Sequence, residues 1–285
     1  MTEIPIRKIR KKGVHNDTLS NFNIWKLSNL LDIKDLHEPL HRHNFYFLLA
    51  FESGVGTHEI DFITYDVSNN TVFLVRPGQI HRLVIKQKSE GFILQFDKDV
   101  FSTQGNNIDK HLQTVFRQNL FSLNQQEFSE FNQSLELIYK ECTLKKINYN
   151  KIISAHLDIL ITLLSRRLET KSNNLENNFA QQKLLEFQGL LDIRISKLKS
   201  VEKYATLLNM TIYQLNATTK KLLGKTPSEM INECIILEAK RQLLATTNQV
   251  SQIAFDLSYE DVSYFIRFFK KQTGNTPDAF RKKFN

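Results

Sequence analysis

Residues 220–227 read Lys-Lys-Leu-Leu-Gly-Lys-Thr-Pro, and residues 270–277 repeat this pattern as Lys-Lys-Gln-Thr-Gly-Asn-Thr-Pro. Further upstream, apolar and small residues recur at an offset of about 49 residues, so that Val201, Ala205 and Leu208 match Val250, Ala254 and Leu257. The offset then becomes about 50 residues, because Leu215 matches Phe265. A one-residue insertion is tolerated best in a turn, so the sequence predicts one folded unit that occurs twice.

Each copy carries the signals of two short helices joined by a turn. In the first copy, Thr211 followed by Gln214 predicts a capping box at the start of the second helix. Gly224 suits the left-handed position after that helix, and Thr226 with Pro227 predicts the start of the next one. We therefore expect two helix-turn-helix units of the DNA-binding kind near the C-terminus.

The second helix of each copy has one largely apolar side, formed by Leu215, Thr219 and Leu222 in the first copy and by Phe265, Phe269 and Gln272 in the second. The opposite side carries amide, hydroxyl and basic groups, which pair with base edges and neutralise phosphates in protein–DNA complexes. On a single helix such a face is more often simply solvated, but its duplication favours recognition. The residues expected to contact double-stranded DNA are Thr211, Tyr213, Gln214, Asn216, Ala217, Lys220, Lys221, Glu260, Asp261, Ser263, Tyr264, Arg267, Lys270 and Lys271.

The segment from residue 227 to about residue 246 connects the two copies and reads as one continuous helix. At about 1.5 Å per residue, this helix spans roughly 30 Å. Successive major grooves on one side of B-DNA lie about 34 Å apart. A stiff connection of this length is suited to placing both units in adjacent grooves.

The first half of the chain shows short runs rich in Phe, Val, Ile and Thr between turn signals. The expected strands are residues 45–51, 56–62, 71–75, 82–86 and 92–96. Short strands at this spacing predict a sandwich or a small barrel.

Residues 124–169 switch to helical periodicity, and the second helix there carries an apolar stripe of Ile153, Leu157, Leu160, Leu164 and Leu168. The stripe either packs on the β-rich part of the same chain or pairs with a second subunit. The Asn-rich residues 171–178 read as a linker. The expected organisation is a β-rich domain over residues 1–123, a helical segment with a linker over residues 124–175, and an all-α domain over residues 176–285.

The composition of the 285 residues limits the class of protein. The formal net charge of +8 and a pI near 9.3 favour a polyanionic partner. Cys142 and Cys234 lie far apart and are expected as small buried residues, which excludes a disulfide framework. No apolar run is long enough for a membrane span, and the basic residues 7–12, expected as a disordered tail, precede no signal-peptide core. A cytoplasmic protein without a membrane partner is expected.

The most specific motif lies in the second copy, where Ile253-Ala254 is followed by residues 263–271 (SYFIRFFKK) and residues 274–277 (GNTP). Over residues 179–284 the chain resembles the AraC/XylS family of bacterial transcription regulators. The front half resembles the cupin-like regulatory domain of that family, through residues 39–46 (PLHRHNFY), 54–58 (GVGTH) and 77–81 (PGQIH).

This resemblance implies an α+β protein with an N-terminal cupin-like β-barrel, a helical dimerisation segment and a C-terminal all-α domain with two helix-turn-helix units. It implies a transcription activator that binds promoter half-sites in DNA and responds to a small-molecule effector in the N-terminal domain. It favours a homodimer through residues 124–169, and RNA polymerase is a further expected partner. No cofactor and no enzymatic activity are expected.

The sequence departs from the family pattern at four positions. Ala217 stands where many relatives place an arginine, Thr219 replaces a usual core aromatic, and Ile235 replaces a frequent arginine of the connecting helix. We therefore expect the first unit to contribute less to DNA recognition than the second. Ser258 stands where relatives often have glycine in the second turn.

His41, His43 and His81, with Tyr46, are the candidate ligand-pocket residues. Imidazole is a ligand for zinc, iron, nickel and copper, so one alternative function is a cupin metalloenzyme with a DNA-binding tail. Against this alternative, Phe47 occupies the place where an acidic metal ligand usually follows the His-x-His pair. We expect a pocket or structural role and no bound metal. A repressor that needs no ligand is a second alternative.

Overall fold

The computed structural model describes residues 5–7, 21–31, 35–101, 107–169 and 175–284. Contacts divide the chain into two compact units, Pro5–Lys171 and the residues from Ser172 onward. The helices expected as a separate segment over residues 124–169 belong to the same unit as the strands. The two units have the expected α+β composition, with β-sheets in the first and an all-helical second unit.

Two five-stranded sheets form the first unit. The strands are β1 (Ile6–Arg7), β2 (Phe22–Lys26), β3 (Leu36–His43), β4 (Tyr46–Ser53), β5 (Gly56–Ile60), β6 (Ile63–Val67), β7 (Thr71–Val75), β8 (Ile80–Ile85), β9 (Glu90–Phe96) and β10 (Leu120–Ser122). One sheet has the strand order β1-β3-β8-β5-β6, and the other has the order β10-β7-β4-β9-β2. The β1–β3 pair is parallel, and the other pairs are antiparallel.

The two sheets pack face to face around an apolar core. Phe47, Phe51 and Phe73 of one sheet share this core with Leu83 and Ile85 of the other. Strand β7 is buried at every position because helices cover its other face. A strand buried on both faces reads as an uninterrupted apolar run, and the residues Thr-Val-Phe-Leu-Val of β7 follow this rule.

The helical elements of this unit are α1 (Ser28–Leu31), a 3₁₀ turn at Lys98–Phe101, α2 (Asn107–Val115), α3 (Gln125–Leu144) and α4 (Tyr149–Glu169). Helix α4 buries Ile153, Leu157, Leu160 and Leu164 in one cluster with sheet residues such as Leu48. Leu168 is half-buried against the same cluster. The apolar stripe therefore packs on the sheet of its own chain, which was one of the two interpretations open from the sequence.

The sequence missed strands β1, β2, β3, β6 and β10. Strand β3 carries three histidines, an arginine and a proline, so its composition is not that of a typical strand. The expected strand over residues 56–62 ends at Ile60, because Asp61 and Phe62 have φ values of 48° and 70°. Two successive residues with positive φ form the tight turn of the β5–β6 hairpin.

The basic residues 7–12 were expected as a disordered tail, and for Arg7 this expectation was wrong. Arg7 lies in strand β1 opposite His43 of β3, and its guanidinium pairs with the Glu38 carboxylate. Residues 8–12 lie outside the described part of the chain.

The second unit consists of α5 (Leu175–Arg194), α6 (Val201–Leu207), α7 (Ile212–Leu223), α8 (Pro227–Ala245), α9 (Val250–Asp256), α10 (Val262–Thr273) and α11 (Pro277–Phe284). The expected linker over residues 171–178 was wrong in its second half, since α5 already begins at Leu175. None of the helices in the described part of the chain combines the length and the apolar composition that a membrane span requires.

The end of each repeated helix has the expected local structure. Gly224 and Gly274 follow α7 and α10 with φ values of 69° and 78°, in the left-handed region that glycine adopts without strain. Thr226 and Glu229 form a reciprocal capping box at the start of α8. These signals therefore predicted where the helices begin and end.

Helix α8 forms the core of the second unit. Its residues Met230, Ile231 and Ile235 lie in one cluster with Leu215 of α7. Its C-terminal half also contacts α9 and α11. The buried guanidinium of Arg281 in α11 donates hydrogen bonds from Nε to the Leu243 carbonyl at 2.8 Å and from an Nη atom to the Asn248 carbonyl at 2.6 Å. Arg281 thereby joins the end of α8 to the start of the second repeat.

The two cysteines are free thiols and only partly buried, although both were expected to be buried. Burial raises the pKa of the Cys142 thiol to about 12. The Cys142 thiol is therefore protonated at neutral pH, which disfavours the thiolate form that reacts.

Candidate nucleic-acid interface and ligand cavity

The first helix-turn-helix unit consists of α6 and α7. Asn209, in the turn between them, has a φ of 52°, which reverses the chain after Leu208. The Thr211 hydroxyl accepts a hydrogen bond from the Gln214 backbone, and the Gln214 side chain accepts one from the Thr211 backbone at 2.8 Å. Leu215 and Thr219 then hold α7 in the core. The expected capping box and buried side are confirmed.

The second unit, α9 and α10, repeats this geometry with one additional residue. Ser258 has a φ of 54° and occupies the position of Asn209. Glu260 is the inserted residue of the turn, and Asp261 caps α10 by accepting hydrogen bonds from the backbone of Ser263 and Tyr264. The change of offset seen in the sequence is therefore an insertion in the turn.

Lys199, which the sequence did not single out, stabilises the second turn. Its ammonium group donates a hydrogen bond to the Ser258 carbonyl at 2.7 Å and lies 3.3 Å from the centroid of the Tyr259 ring. Burial lowers the pKa of Lys199 to about 8. Lys199 precedes α6, so this contact connects the two repeats directly.

The two recognition helices, α7 and α10, expose matching faces. Over residues 211–220 and 261–270 the pattern of buried, half-buried and exposed positions agrees at all but one position. Tyr213 is 82% exposed on α7. Arg267 on α10 has a side chain that is 70% exposed, and its guanidinium lies 3.8 Å from the Asp261 carboxylate. Leu222 is half-buried as part of the inner side of α7, whereas Gln272, in the last turn of α10, is exposed.

The expected DNA-contacting residues are exposed in the structure, with the exception of Asn216. Thr211, Gln214 and Asp261 make the hydrogen bonds that start α7 and α10. Asn216 is half-buried. Besides the three capping residues, the exposed ones are Tyr213, Ala217, Lys220, Lys221, Glu260, Ser263, Tyr264, Arg267, Lys270 and Lys271.

A cavity of about 600 Å³ lies in the first unit, next to the histidines. Its lining includes Trp25, Phe47 and Gln95 together with His41, His43 and His81. Arg7 and Glu38 also line it and pair with each other. An apolar concave site with a few convergent polar groups is typical of small-molecule pockets.

Tyr46 does not belong to this cavity. Neighbouring residues of a strand point to opposite faces, so Phe47 faces the cavity and Tyr46 faces the helices. The Tyr46 ring stacks on Phe96 at 5.6 Å and meets Phe116 at 4.8 Å, centroid to centroid. Its expected role as a pocket residue was wrong.

His58 extends the histidine cluster beyond the three residues expected from the sequence. Its Nε2 lies 2.9 Å from His81 Nδ1, and His81 Nε2 lies 3.3 Å from His43 Nε2. His41 Nδ1 lies 2.7 Å from the Pro39 carbonyl. Burial lowers the pKa of His43 and of His58 to about 3 and that of His81 well below its usual value. These imidazoles are therefore uncharged at neutral pH.

The chain matches two families over about two thirds of its length. Residues 32–139 match the AraC-like ligand binding domain, and residues 204–283 match the helix-turn-helix domain. The HTH-type transcriptional activator RhaS of Enterobacter sp. (strain 638) is 23% identical over 256 residues, which cover 86% of this chain and 87% of that protein. The bifunctional transcriptional activator/DNA repair enzyme AdaA of Bacillus subtilis (strain 168) is 32% identical over 92 residues, which cover 32% of this chain and 44% of that protein.

Among solved structures, ToxT from Vibrio cholerae O395 aligns over 93% of this chain and 97% of its own chain, with 15% identity and a TM-score of 0.41. The order of the two matches agrees with the structure, since the first includes strands β3 to β10 and the second runs from α6 to α11. The chain belongs to the AraC/XylS family of transcription regulators, and it joins an AraC-like ligand-binding domain to a helix-turn-helix domain.

Proposed function

We propose that this protein activates transcription by reading promoter DNA with α7 and α10, under the control of a small molecule bound in the N-terminal cavity. The observation that carries the proposal is the matched exposure of the two recognition helices. Each helix ends in a pair of lysines, Lys220-Lys221 and Lys270-Lys271, which can neutralise phosphates. Identical placement in both copies is difficult to explain by solubility alone.

The connecting helix supports recognition of two adjacent grooves. Helix α8 has 19 residues, which correspond to about 28 Å at the usual rise. Helix α8 contacts both α7 and α9, so both helix-turn-helix units pack on the same helix. This length is close to the ~34 Å between successive major grooves.

The two recognition helices differ at several exposed positions, and one of these differences exchanges an arginine for an alanine. Ala217 of α7 corresponds to Arg267 of α10, and both are exposed. An arginine can donate two hydrogen bonds to guanine, whereas alanine offers only apolar contact. We infer that the second helix-turn-helix unit contributes more to the preference for particular DNA sequences than the first helix-turn-helix unit does.

The Arg267→Ala variant is expected to bind its promoter site more weakly by about 1–3 kcal/mol, because a base contact is lost. The binding should also become less selective at the base pair that Arg267 reads. Fluorescence anisotropy with labelled promoter fragments, each carrying one substituted base pair, measures both effects.

Lys98→Ala provides the control, since it removes the same charge from an exposed position of the 3₁₀ turn at Lys98–Phe101 in the N-terminal unit. Unchanged promoter affinity in Arg267→Ala would count against the assignment of α10 as the main recognition helix. Affinity that does not fall steeply with rising salt would count against phosphate contacts by the lysine pairs.

The effector is proposed to act through the cavity in the first unit. A ligand controls DNA binding only if it binds one arrangement of the protein better than another. The cavity offers aromatic walls and uncharged imidazoles to such a molecule. This use of the cavity is binding, and no catalytic step is proposed for it.

We propose a homodimer through the sides of α3 and α4 that the sheet leaves uncovered. The buried stripe of α4 is not available for this contact, because it packs within the chain. Leu137 and Leu144 of α3 are 43% and 50% exposed, and Ile152 and Ile159 of α4 are 39% and 45% exposed. Each pair is spaced by two helical turns and therefore lies on one face.

Replacing both Ile152 and Ile159 with glutamate is expected to convert the dimer to a monomer, because each carboxylate would have to be desolvated in the contact. Sedimentation equilibrium over a range of concentrations measures this change. Ile63→Glu is the control, since Ile63 is 56% exposed on β6, away from these helices. A double variant that dimerises as strongly as the parent protein would exclude this surface.

A further inference from the structure

Three histidine side chains converge because of strand geometry. His41 and His43 are two residues apart on β3, so both point to the same face of the sheet. His81 on the neighbouring strand β8 lies directly opposite His41 in the antiparallel register. All three side chains are buried at the edge of the cavity.

The distances between the ring nitrogens suit coordination of one ion. His43 Nε2 and His81 Nε2 are 3.3 Å apart, and two nitrogens bound to one tetrahedral zinc ion at about 2.0–2.1 Å are separated by about 3.3 Å. One nitrogen from each of the three histidines lies within 4.8 Å of the others. Three nitrogen atoms at such distances can all lie within about 2.8 Å of one ion placed between them. Shifts of the rings by less than about 1 Å would then bring each nitrogen to the usual zinc–nitrogen distance of about 2.0–2.1 Å.

Neighbouring groups orient the rings in the way that metal-bound histidines require. The Pro39 carbonyl can only accept a hydrogen bond, so His41 Nδ1 carries the proton and His41 Nε2 keeps its lone pair. His81 Nδ1 is bonded to His58 Nε2, which leaves His81 Nε2 facing the cluster. A histidine that binds a metal through one ring nitrogen typically donates a hydrogen bond from its other ring nitrogen.

The cluster contains two buried ring nitrogens that form no hydrogen bond to the described part of the chain. His43 Nδ1 and His58 Nδ1 have no hydrogen-bond partner among the described residues. The His43 ring is held by Phe45, which stacks on it with centroids 4.3 Å apart. This stacking holds the His43 ring with its Nε2 atom toward His81.

We propose that His41, His43 and His81 bind one divalent transition-metal ion of the zinc class. Imidazole nitrogens favour such ions over magnesium or calcium, which prefer oxygen ligands. Phe47 supplies no ligand, and the Glu38 carboxylate is paired with Arg7, so the ion keeps an open position toward the cavity. This inference goes beyond the proposed function, because the site does not depend on DNA recognition.

The test uses the untagged full-length protein after removal of metal with a chelator. Zinc titration is expected to show one ion bound per chain and a rise in Tm, since an ion that binds only the folded state stabilises it. Cobalt(II) is expected to produce the visible absorption of a four- or five-coordinate ion with nitrogen ligands. Absence of both the Tm rise and this spectrum would overturn the proposal.

Variants locate the ion. His41→Gln and His81→Gln are each expected to weaken zinc binding by at least about 10-fold, whereas His37→Gln, on the exposed side of the same strand β3, should bind zinc like the parent protein. Equal losses in His37→Gln and His41→Gln would place the ion elsewhere and overturn the site. Should a ligand variant not fold, the cobalt spectrum of the parent protein decides. A protein that binds promoter DNA but no zinc would reject the metal site alone.

Discussion

Replacing Phe269 with alanine is expected to lower the free energy of unfolding of the C-terminal unit by about 3–5 kcal/mol. Phe269 of α10 has no exposed surface, and its ring packs against Phe265 and Phe280 with centroids 6.1 Å and 5.7 Å apart. The variant loses the transfer free energy of the ring and leaves a cavity between α10 and α11. Because α10 carries the recognition face, the variant should also lose promoter binding at the denaturant concentration where its C-terminal unit unfolds.

The repeat supplies the control for this prediction. Thr219 of α7 is equally buried at the equivalent position, but its hydroxyl makes only a local hydrogen bond to the Asn216 carbonyl at 3.3 Å. Thr219→Ala is therefore expected to lose only about 1 kcal/mol. Chemical denaturation followed by circular dichroism measures both losses. Similar losses of unfolding free energy in the two variants would contradict the view that the second helix-turn-helix unit is packed more strongly than the first.

The single tryptophan makes the location of the effect measurable. Trp25 lies in strand β2 of the first unit, so its fluorescence reports unfolding of the sheets. We expect the fluorescence transition to be the same in Phe269→Ala as in the parent protein, while the helical signal shifts.

Arg281→Ala is expected to lower the free energy of unfolding of the C-terminal unit by about 3 kcal/mol, since hydrogen bonds from a charged donor contribute about 1.5–3 kcal/mol each. The variant leaves the carbonyls of Leu243 and Asn248 without their donor at the end of α8. Because α8 and α9 meet at this point, loss of these hydrogen bonds should also displace the second helix-turn-helix unit, α9 and α10, and so weaken promoter binding.

Two neighbouring substitutions distinguish the hydrogen bonds from the charge. Arg281→Lys keeps the charge but cannot reach both carbonyls with one compact ammonium group, so it should recover only part of the stability. Lys282→Ala removes a charge from an exposed position of the same helix and is expected to change the stability by less than about 0.5 kcal/mol. A stable Arg281→Ala variant would show that the two carbonyls find other donors.

Much of the C-terminal unit could be predicted, because the sequence signals for its helix ends and turns are local. The capping box at Thr211 and Gln214 and the glycine after α7 act within a few residues of the chain. The periodicity of α7 and α10 predicted the exposed faces correctly. Gln272 shares the side of Phe265 and Phe269 but lies exposed in the last turn of α10, so the buried part of that side is shorter than the periodicity predicted.

The cavity could be predicted only in part. The convergence of His41, His43 and His81 follows the pattern of the resembling family, and the structure brings them together. His58 was missed because it lies on β5, and its approach to His81 depends on the pairing of β5 with β8. Tyr46 was misplaced because a shift of one residue along a strand exchanges the two faces.

The sequence by itself determined that one helix-turn-helix unit occurs twice, where its helices begin and end, and which sides of α7 and α10 face solvent. Helix caps, turns and helical periodicity depend on residues close together in the chain. The tertiary structure alone decided that the α4 stripe covers a sheet and that Arg281 closes the end of α8. These contacts join residues far apart in the chain, and an apolar stripe or a lone arginine carries no record of the partner it will meet.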